Sequence, residues 1–292
     1  MKYFYLLIFA TSLLFTSCTS TKIQELSFGA IADCQYCNQP DRGDRQYSTS
    51  HKKLEKCVEH FNQEDLDFVI HLGDLIDKDF KSFDVVLPIY NSLKADHYHA
   101  LGNHDFDVVD SLKKDVPTKM GMPAKYHYFD KANWRFIILD GNDVSFHAYP
   151  KESPEYKYAA EYYKIKKITS PKWNGAVGEE QMKWLETLLQ ESQEDNQQVI
   201  LFSHFPVYPA NNHNLWNANE LVALLEDYPC VKAYINGHNH KGNYAEKQGI
   251  HYLTLKGMVD TDENSYAIIK LNQESILVQG FGRVKQRTLL IK

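Results

Sequence analysis

The sequence predicts a mixed α/β domain, and three observations carry that reading. Short apolar runs of strand length alternate with longer stretches of helical periodicity. The 43% apolar content over 292 residues supports a substantial core. Five of the short runs end on side chains with oxygen or nitrogen donors, at Asp33/Gln35, Asp74, Asn103, His204 and His238/His240.

The first run, Leu26-Ser27-Phe28-Gly29-Ala30-Ile31, lies in a strand expected over 24–32, and alternation puts Asp33 and Gln35 beyond it on one face. A helix follows over 48–62. The run Phe68-Val69-Ile70-His71-Leu72 predicts a strand over 67–72 that ends in Gly73-Asp74. After a helix over 81–93, a strand over 97–101 leads into Gly102-Asn103-His104-Asp105. A strand over 134–140 and a helix over 178–191 precede the run Val199-Ile200-Leu201-Phe202-Ser203, a strand over 198–203 closing on His204. A helix over 217–226 leads to a strand over 231–236, followed by Gly237, His238 and His240. Three shorter strands, over 250–256, 264–270 and 275–281, finish the chain, with Asn272-Gln273 as a turn. Residues 149–173 are charged and Tyr-rich, contain Pro150, Pro154 and Pro171, and interrupt the alternation. They read as an insertion or lid, or equally as a solvated loop containing a helix. Strand pairing is left open.

In open α/β sheets, ligands bind beyond the carboxyl ends of strands, so five such ends can converge on one crevice. Singly the motifs are weak: an Asp after Gly is common in turns, and histidines at i and i+2 are more often surface or core residues. Five donor sets in one order point to a two-metal hydrolytic site. The chain has no Walker-type glycine loop and no basic stripe, which disfavours that mode of triphosphate binding and duplex nucleic acid as a partner.

The order Asp-x-Gln, Gly-Asp, Gly-Asn-His-Asp, His, Gly-His-x-His resembles the calcineurin-like metallophosphoesterase superfamily. Most members carry Asp-x-His first, where this chain has Gln35. That departure resembles the manganese-dependent ADP-ribose/CDP-alcohol diphosphatase family, as do Ala32-Asp33-Cys34-Gln35-Tyr36, Arg45-x-Tyr47, Asn174-Gly175, Gly178-Glu179-Glu180-Gln181, Leu215-Trp216-Asn217 and Gly280-Phe281-Gly282-Arg283-Val284. The resemblance implies a four-layer αββα sandwich with mixed sheets over 24–292, a single catalytic domain. It implies two divalent ions, one held by Asp33, Gln35, Asp74 and His240, the other by Asp74, Asn103, His204 and His238, with Asp74 shared. An amide oxygen at Gln35 in place of an imidazole nitrogen shifts preference toward manganese or magnesium, and manganese is the first expectation. His104 would face the substrate, with Asp105 orienting it, and Arg45 and Tyr47 are candidate substrate contacts.

The expected reaction is hydrolysis of the diphosphate bond in nucleoside diphosphate-linked compounds such as ADP-ribose or CDP-alcohols. A bound divalent ion lowers the pKa of its water from about 15.7 to about 7, supplying hydroxide for in-line attack on phosphorus. The net charge of −6, from 32 Lys+Arg against 38 Asp+Glu, does not oppose an anionic substrate because it omits the metals. The alternatives are a phosphomonoesterase or phosphodiesterase of the same superfamily, and a lipid-anchored binding protein without turnover.

Residues 1–17, Met1-Lys2 followed by a mostly apolar stretch, match a signal-peptide pattern too short for an ordinary membrane span. The ending Leu13-Leu14-Phe15-Thr16-Ser17-Cys18 resembles a bacterial lipoprotein signal. Cleavage before Cys18 would leave a lipidated cysteine, a tether over 18–23 and a membrane-attached, periplasm-facing protein, with a secreted soluble form as the alternative. Cys34, Cys37, Cys57 and Cys230 form an even set whose pairing is not readable, and buried thiols are as consistent as disulfides.

Overall fold

The computed structural model describes residues 25–292. The expected signal segment over 1–17, the expected tether over 18–23 and Cys18, the expected lipidation site, lie outside the described residues.

Two six-stranded mixed sheets face each other. In the first, β1 (Leu26–Ile31) is central. It pairs in parallel with β2 (Phe68–His71), which continues in parallel to β3 (Asp96–His99). On its other side it runs antiparallel to β10 (Ser265–Leu271), followed by β11 (Ser275–Gly282) and β12 (Arg287–Leu290). The second sheet has β5 (Trp134–Ile138), β6 (Gln198–Phe202), β7 (Val231–Asn236) and β9 (Ile250–Thr254) in parallel. Antiparallel strands close its two edges, β4 (His127–Lys131) beside β5 and β8 (Asn243–Lys247) beside β9.

Alternation along the strands sorts the apolar residues into three layers of core. Inward residues of both sheets, including Phe28, Phe68, Phe136 and Phe202, interdigitate between them. Phe28 stacks on Phe68 at 4.7 Å and meets Phe202 edge-on at 5.6 Å, geometries that add to the burial of their area. The outward residues of the first sheet, Ile31 and Val69, bury Leu54, Val58 and Phe61 of α1 (Ser50–Phe61) and Phe83, Val86 and Tyr90 of α2 (Phe83–Tyr90). The short α3 (Val116–Lys119) lies at the same flank through Val116. α4 (Pro154–Ile165) sits in the segment expected to be an insertion or lid, capped by the Ser153 hydroxyl, and it buries little beyond Ala159. On the second sheet, Ile137, Val199, Leu201 and Tyr234 pack against α5 (Glu179–Glu194) and α6 (Ala218–Glu226) through Leu185, Leu189, Leu221 and Leu225. The result is the expected αββα order of layers.

Every strand expected from the apolar runs is present, with ends shifted by a few residues. The three strands that the runs do not announce, β4, β8 and β12, are all sheet edges. An edge strand buries little of its surface, so β4 reads as alternating half-buried and exposed positions and carries no apolar run. The four described cysteines are free thiols, three of them buried. Burial pushes Cys34 up to about 12, which disfavours the thiolate that redox exchange would need.

His71 ends β2 on the outer face beside Tyr90 and His99, and neither of its ring nitrogens has a hydrogen-bond partner. Burial lowers it from 6.5 to about 4. The unfolded chain therefore takes up a proton at a pH where the folded chain refuses it, so stability is full above 6.5 and is lost as the pH falls toward 4. From this residue the loss is on the order of 3 kcal/mol. Urea unfolding of His71→Leu against the parent should show a flatter stability profile between pH 4 and 6.5, and parallel profiles would mean that His71 charges freely inside the fold.

Candidate metal centre

The loops after β1, β2, β3, β6 and β7 meet at one end of the sandwich, and their backbones are tied before any side chain is considered. The Asp33 and Gln35 amides donate to the carbonyls of Gly73 and Asp74, and the Gly237 amide donates to the His204 carbonyl. Four of the expected donor residues, Asp33, Gln35, Asp74 and His238, hold left-handed backbone with φ of 53°, 45°, 57° and 68°. Such conformations cost about 1–3 kcal/mol each outside glycine, so surrounding structure must enforce them. Part of that enforcement comes from Asp105. Its Oδ2 accepts the amides of Asp74 at 3.0 Å and Gly102 at 2.9 Å, and its Oδ1 accepts those of Leu75 at 2.8 Å and Ile76 at 3.3 Å. Two glycines make the closeness feasible: a Cβ on Gly102 would overlap Asp74, and one on Gly73, at φ 89°, would sit 2.6 Å from His204 Nδ1.

Asp74 lies at the centre and is fully buried. Its Oδ1 accepts the His104 amide at 2.8 Å, and its Oδ2 accepts the Gln35 side-chain amide at 2.9 Å and lies 3.2 Å from His204 Nε2. Three imidazoles complete the site in a common arrangement, each anchored through one nitrogen and presenting the other inward. His204 Nδ1 donates to the Leu72 carbonyl at 2.8 Å. His238 Nε2 donates to Asn174 Oδ1 at 2.9 Å and turns its Nδ1 to within 3.0 Å of His204 Nε2. His240 Nδ1 is held by Asp260 at 2.9 Å, with its Nε2 3.5 Å from Asp33 Oδ1. Asp33 in turn accepts the His238 amide on both oxygens at 3.1 Å. Fixing one ring nitrogen in this way sets the tautomer and aim of the other, as at metal-binding histidines.

The donor set fits divalent cations. Asp74, His204 and His238 each offer an atom within 4.8 Å of the others. Gln35 Oε1 and Asn103 Oδ1 are buried and have no hydrogen-bond partner, a cost of about 1–3 kcal/mol each unless something positive faces them. Carboxylates, amide oxygens and imidazoles without a thiolate suit a hard or borderline ion. Burial alone would raise Asp74, but His204, His104 and His238 hold it well below the usual carboxylate range. Against the same burial, Asp74 lifts His204 to about 9, and Asp33 and Asp260 lift His240 to about 9, while burial and the neighbouring His204 push His238 far down. Protons thus stand at two of the three inward nitrogens, and cation binding would release them.

All seven expected metal-binding side chains, Asp33, Gln35, Asp74, Asn103, His204, His238 and His240, are brought to this one place. The expectation for Asp105 is corrected. Its carboxylate is occupied by four backbone amides, and His104 is oriented by Asp77, whose Oδ1 lies 2.6 Å from His104 Nδ1. Asp77 stands far from His104 in the chain, so sequence adjacency favoured Asp105 instead. Burial lowers His104, but Asp74 and Asp77 outweigh it and leave it raised. Its side chain is 26% exposed, open to a substrate. Arg45 reaches the rim and contacts the Tyr47 hydroxyl at 3.5 Å, while the Tyr47 ring is buried against Cys37 and Val259, so Tyr47 supports Arg45. Trp216 packs on Phe146 and Tyr163. Sequence reasoning missed Asp77 and Asp260 as anchors, and His213, whose ring lies 5.4 Å from that of His238. Asn174 was visible only as part of a family-like phrase.

Comparison with known proteins agrees with this geometry. Residues 26–242 match the family described as calcineurin-like phosphoesterase. The manganese-dependent ADP-ribose/CDP-alcohol diphosphatase of Oryza sativa subsp. japonica is 30% identical, over 87% of this chain and 90% of the relative. The Bos taurus protein of the same name is 28% identical, over 90% and 93%. A solved dimetal phosphatase from Danio rerio superposes with a TM-score of 0.82 at 25% identity, covering 91% of this chain and 99% of that one.

Asp105→Asn would set an NH2 group against two of the four amides that the carboxylate accepts. The loss should be about 2 kcal/mol in unfolding free energy, together with weaker manganese binding by calorimetry. Unchanged values for both would show that the loops keep their geometry without this carboxylate.

Proposed function

Since this chain belongs to the calcineurin-like phosphoesterase family and is a phosphoesterase, we propose that it hydrolyses the diphosphate linkage of nucleoside diphosphate conjugates, of the ADP-ribose and CDP-alcohol kind named for its relatives. One observation carries the metal dependence: the two orphaned amide oxygens of Gln35 and Asn103 beside three anchored imidazoles and a buried Asp74. Asp33, Gln35, Asp74 and His240 would hold one divalent ion, and Asp74, Asn103, His204 and His238 the other, with manganese favoured. When bound, the ions supply Lewis acidity toward phosphate oxygens and a nucleophile at neutral pH.

The chain's own residues do the rest. Leu72, Asn174 and Asp260 keep the three imidazoles aimed, so that the site is preorganised before substrate arrives. His104, with Nδ1 held by Asp77, has Nε2 free to donate a proton to the leaving oxygen. Against burial, Asp74 and Asp77 raise its pKa, which favours the ring that carries that proton. Arg45 at the rim supplies a fixed fork of donors for a phosphate oxygen. The demand for the His104 proton depends on the leaving group: a departing phosphate monoester has a second pKa of about 6, whereas an alkoxide needs protonation.

Turnover of CDP-choline, ADP-ribose and 2-glycerophosphate with manganese, measured side by side on the parent and His104→Ala, tests both parts. The diphosphates should be the better substrates, and the variant should lose on the order of 100-fold in kcat on 2-glycerophosphate with a much smaller loss on the diphosphates. A preference for the monoester would overturn the substrate assignment. Equal losses on both substrate types would remove His104 as the proton donor.

A further inference from the structure

One edge of the sandwich carries a cleft that the chemistry above does not use. It opens where β8 and β9 of the second sheet meet the β11–β12 turn and β12 of the first, and its volume is about 320 Å³, at the small end of ligand pockets. Lys241, Lys256, Lys285 and Arg287 line it, and no aspartate or glutamate does. Among the described residues none of these four cations has a carboxylate within ion-pair distance, although other lysines close in sequence do: Lys247 pairs with Glu226 at 2.6 Å and Lys292 with Glu246 at 2.7 Å. The Arg287 guanidinium lies over the Tyr244 ring at 4.7 Å, which fixes its plane.

In a chain with a net charge of −6, these four cations gather positive charge around a cavity that no carboxylate lines. The cleft also adjoins the metal centre at its β8–β9 wall. Lys241 follows His240 directly. Lys256 precedes Gly257, where a Cβ would come within 2.7 Å of His240 Cγ.

We propose that this cleft is an anion subsite that takes a second phosphate of the substrate, a phosphomonoester remote from the diphosphate being cleaved. The inference rests on the diphosphatase reading and narrows it: the preferred conjugates carry an additional phosphate on the ribose or at the far end of the leaving group. Two lysines and an arginine fork meeting one dianion give charge-assisted hydrogen bonds, and the open cleft makes their contribution fall with added salt.

ADP-ribose and ADP-ribose 2′-phosphate differ by that one group. The test uses the full chain and the double variant Lys285→Ala/Arg287→Ala, neither residue being part of the metal centre. With manganese, the parent should favour the 2′-phosphate by about tenfold in kcat/KM, expressed in KM. The variant should lose that preference while keeping its kcat on ADP-ribose and its melting temperature. A parent without the preference, or a variant that keeps it, overturns the subsite and leaves the diphosphatase reading standing. If neither compound is hydrolysed, the diphosphatase reading falls, and the subsite is decided by calorimetry on metal-free protein. Adenosine 2′,5′-bisphosphate binding about tenfold tighter than AMP in the parent alone supports it, and equal binding overturns it. Cosedimentation with phosphatidylglycerol vesicles that the variant abolishes, without nucleotide discrimination, would replace the subsite with a lipid-facing surface.

Discussion

The Asp74 carboxylate is the group on which the rest of the centre depends. It is buried, lies against an imidazole on one oxygen and takes a backbone amide on the other, and keeps its charge because histidines surround it. A second buried carboxylate, Asp105, stands behind it and binds the amide of Asp74 itself. Burial, with Asp74 beside it, pushes Asp105 up to about 7. Two acids packed this closely oppose each other, and the arrangement persists because one is saturated by backbone donors and the other faces cations. The strained left-handed backbone at Asp33, Gln35, Asp74 and His238 is the counterpart of the same demand: the donors must point to one place, and the loops bend to let them.

That constraint explains which parts of the protein were legible in the sequence. Strands buried on both faces announce themselves as apolar runs, and the donors follow because each parallel strand delivers its last residues to the same end of the sheet. Gly73, Gly102 and Gly237 mark the turns. The edge strands β4, β8 and β12 were not legible, since they bury too little to leave a pattern. The anchors of the histidines were equally hidden. Asp77, Asn174 and Asp260 belong to three different loops, and nothing local in their sequence says which ring each will meet. Asp105 shows the converse failure: adjacency to His104 pointed to a catalytic partnership, whereas its carboxylate faces the backbone.

Charge is distributed unevenly. The chain as a whole is acidic, yet Arg45 at the rim and the four cations of the edge cleft present positive charge on the side of the molecule where His240 lies. Local fields of this kind, rather than net charge, govern how an anionic substrate approaches. The two sheets contribute in different ways: the first supplies the carboxylates and both amide side chains, while the second supplies all three imidazoles, so the centre forms only when both sheets are packed face to face.

Anomalous scattering from crystals grown with manganese tests the account most directly. Two peaks are predicted, one contacting Asp33, Gln35, Asp74 and His240 and the other Asp74, Asn103, His204 and His238, with Asp74 common to both. A single peak, or manganese that leaves the Gln35 and Asn103 oxygens without a partner, would contradict it.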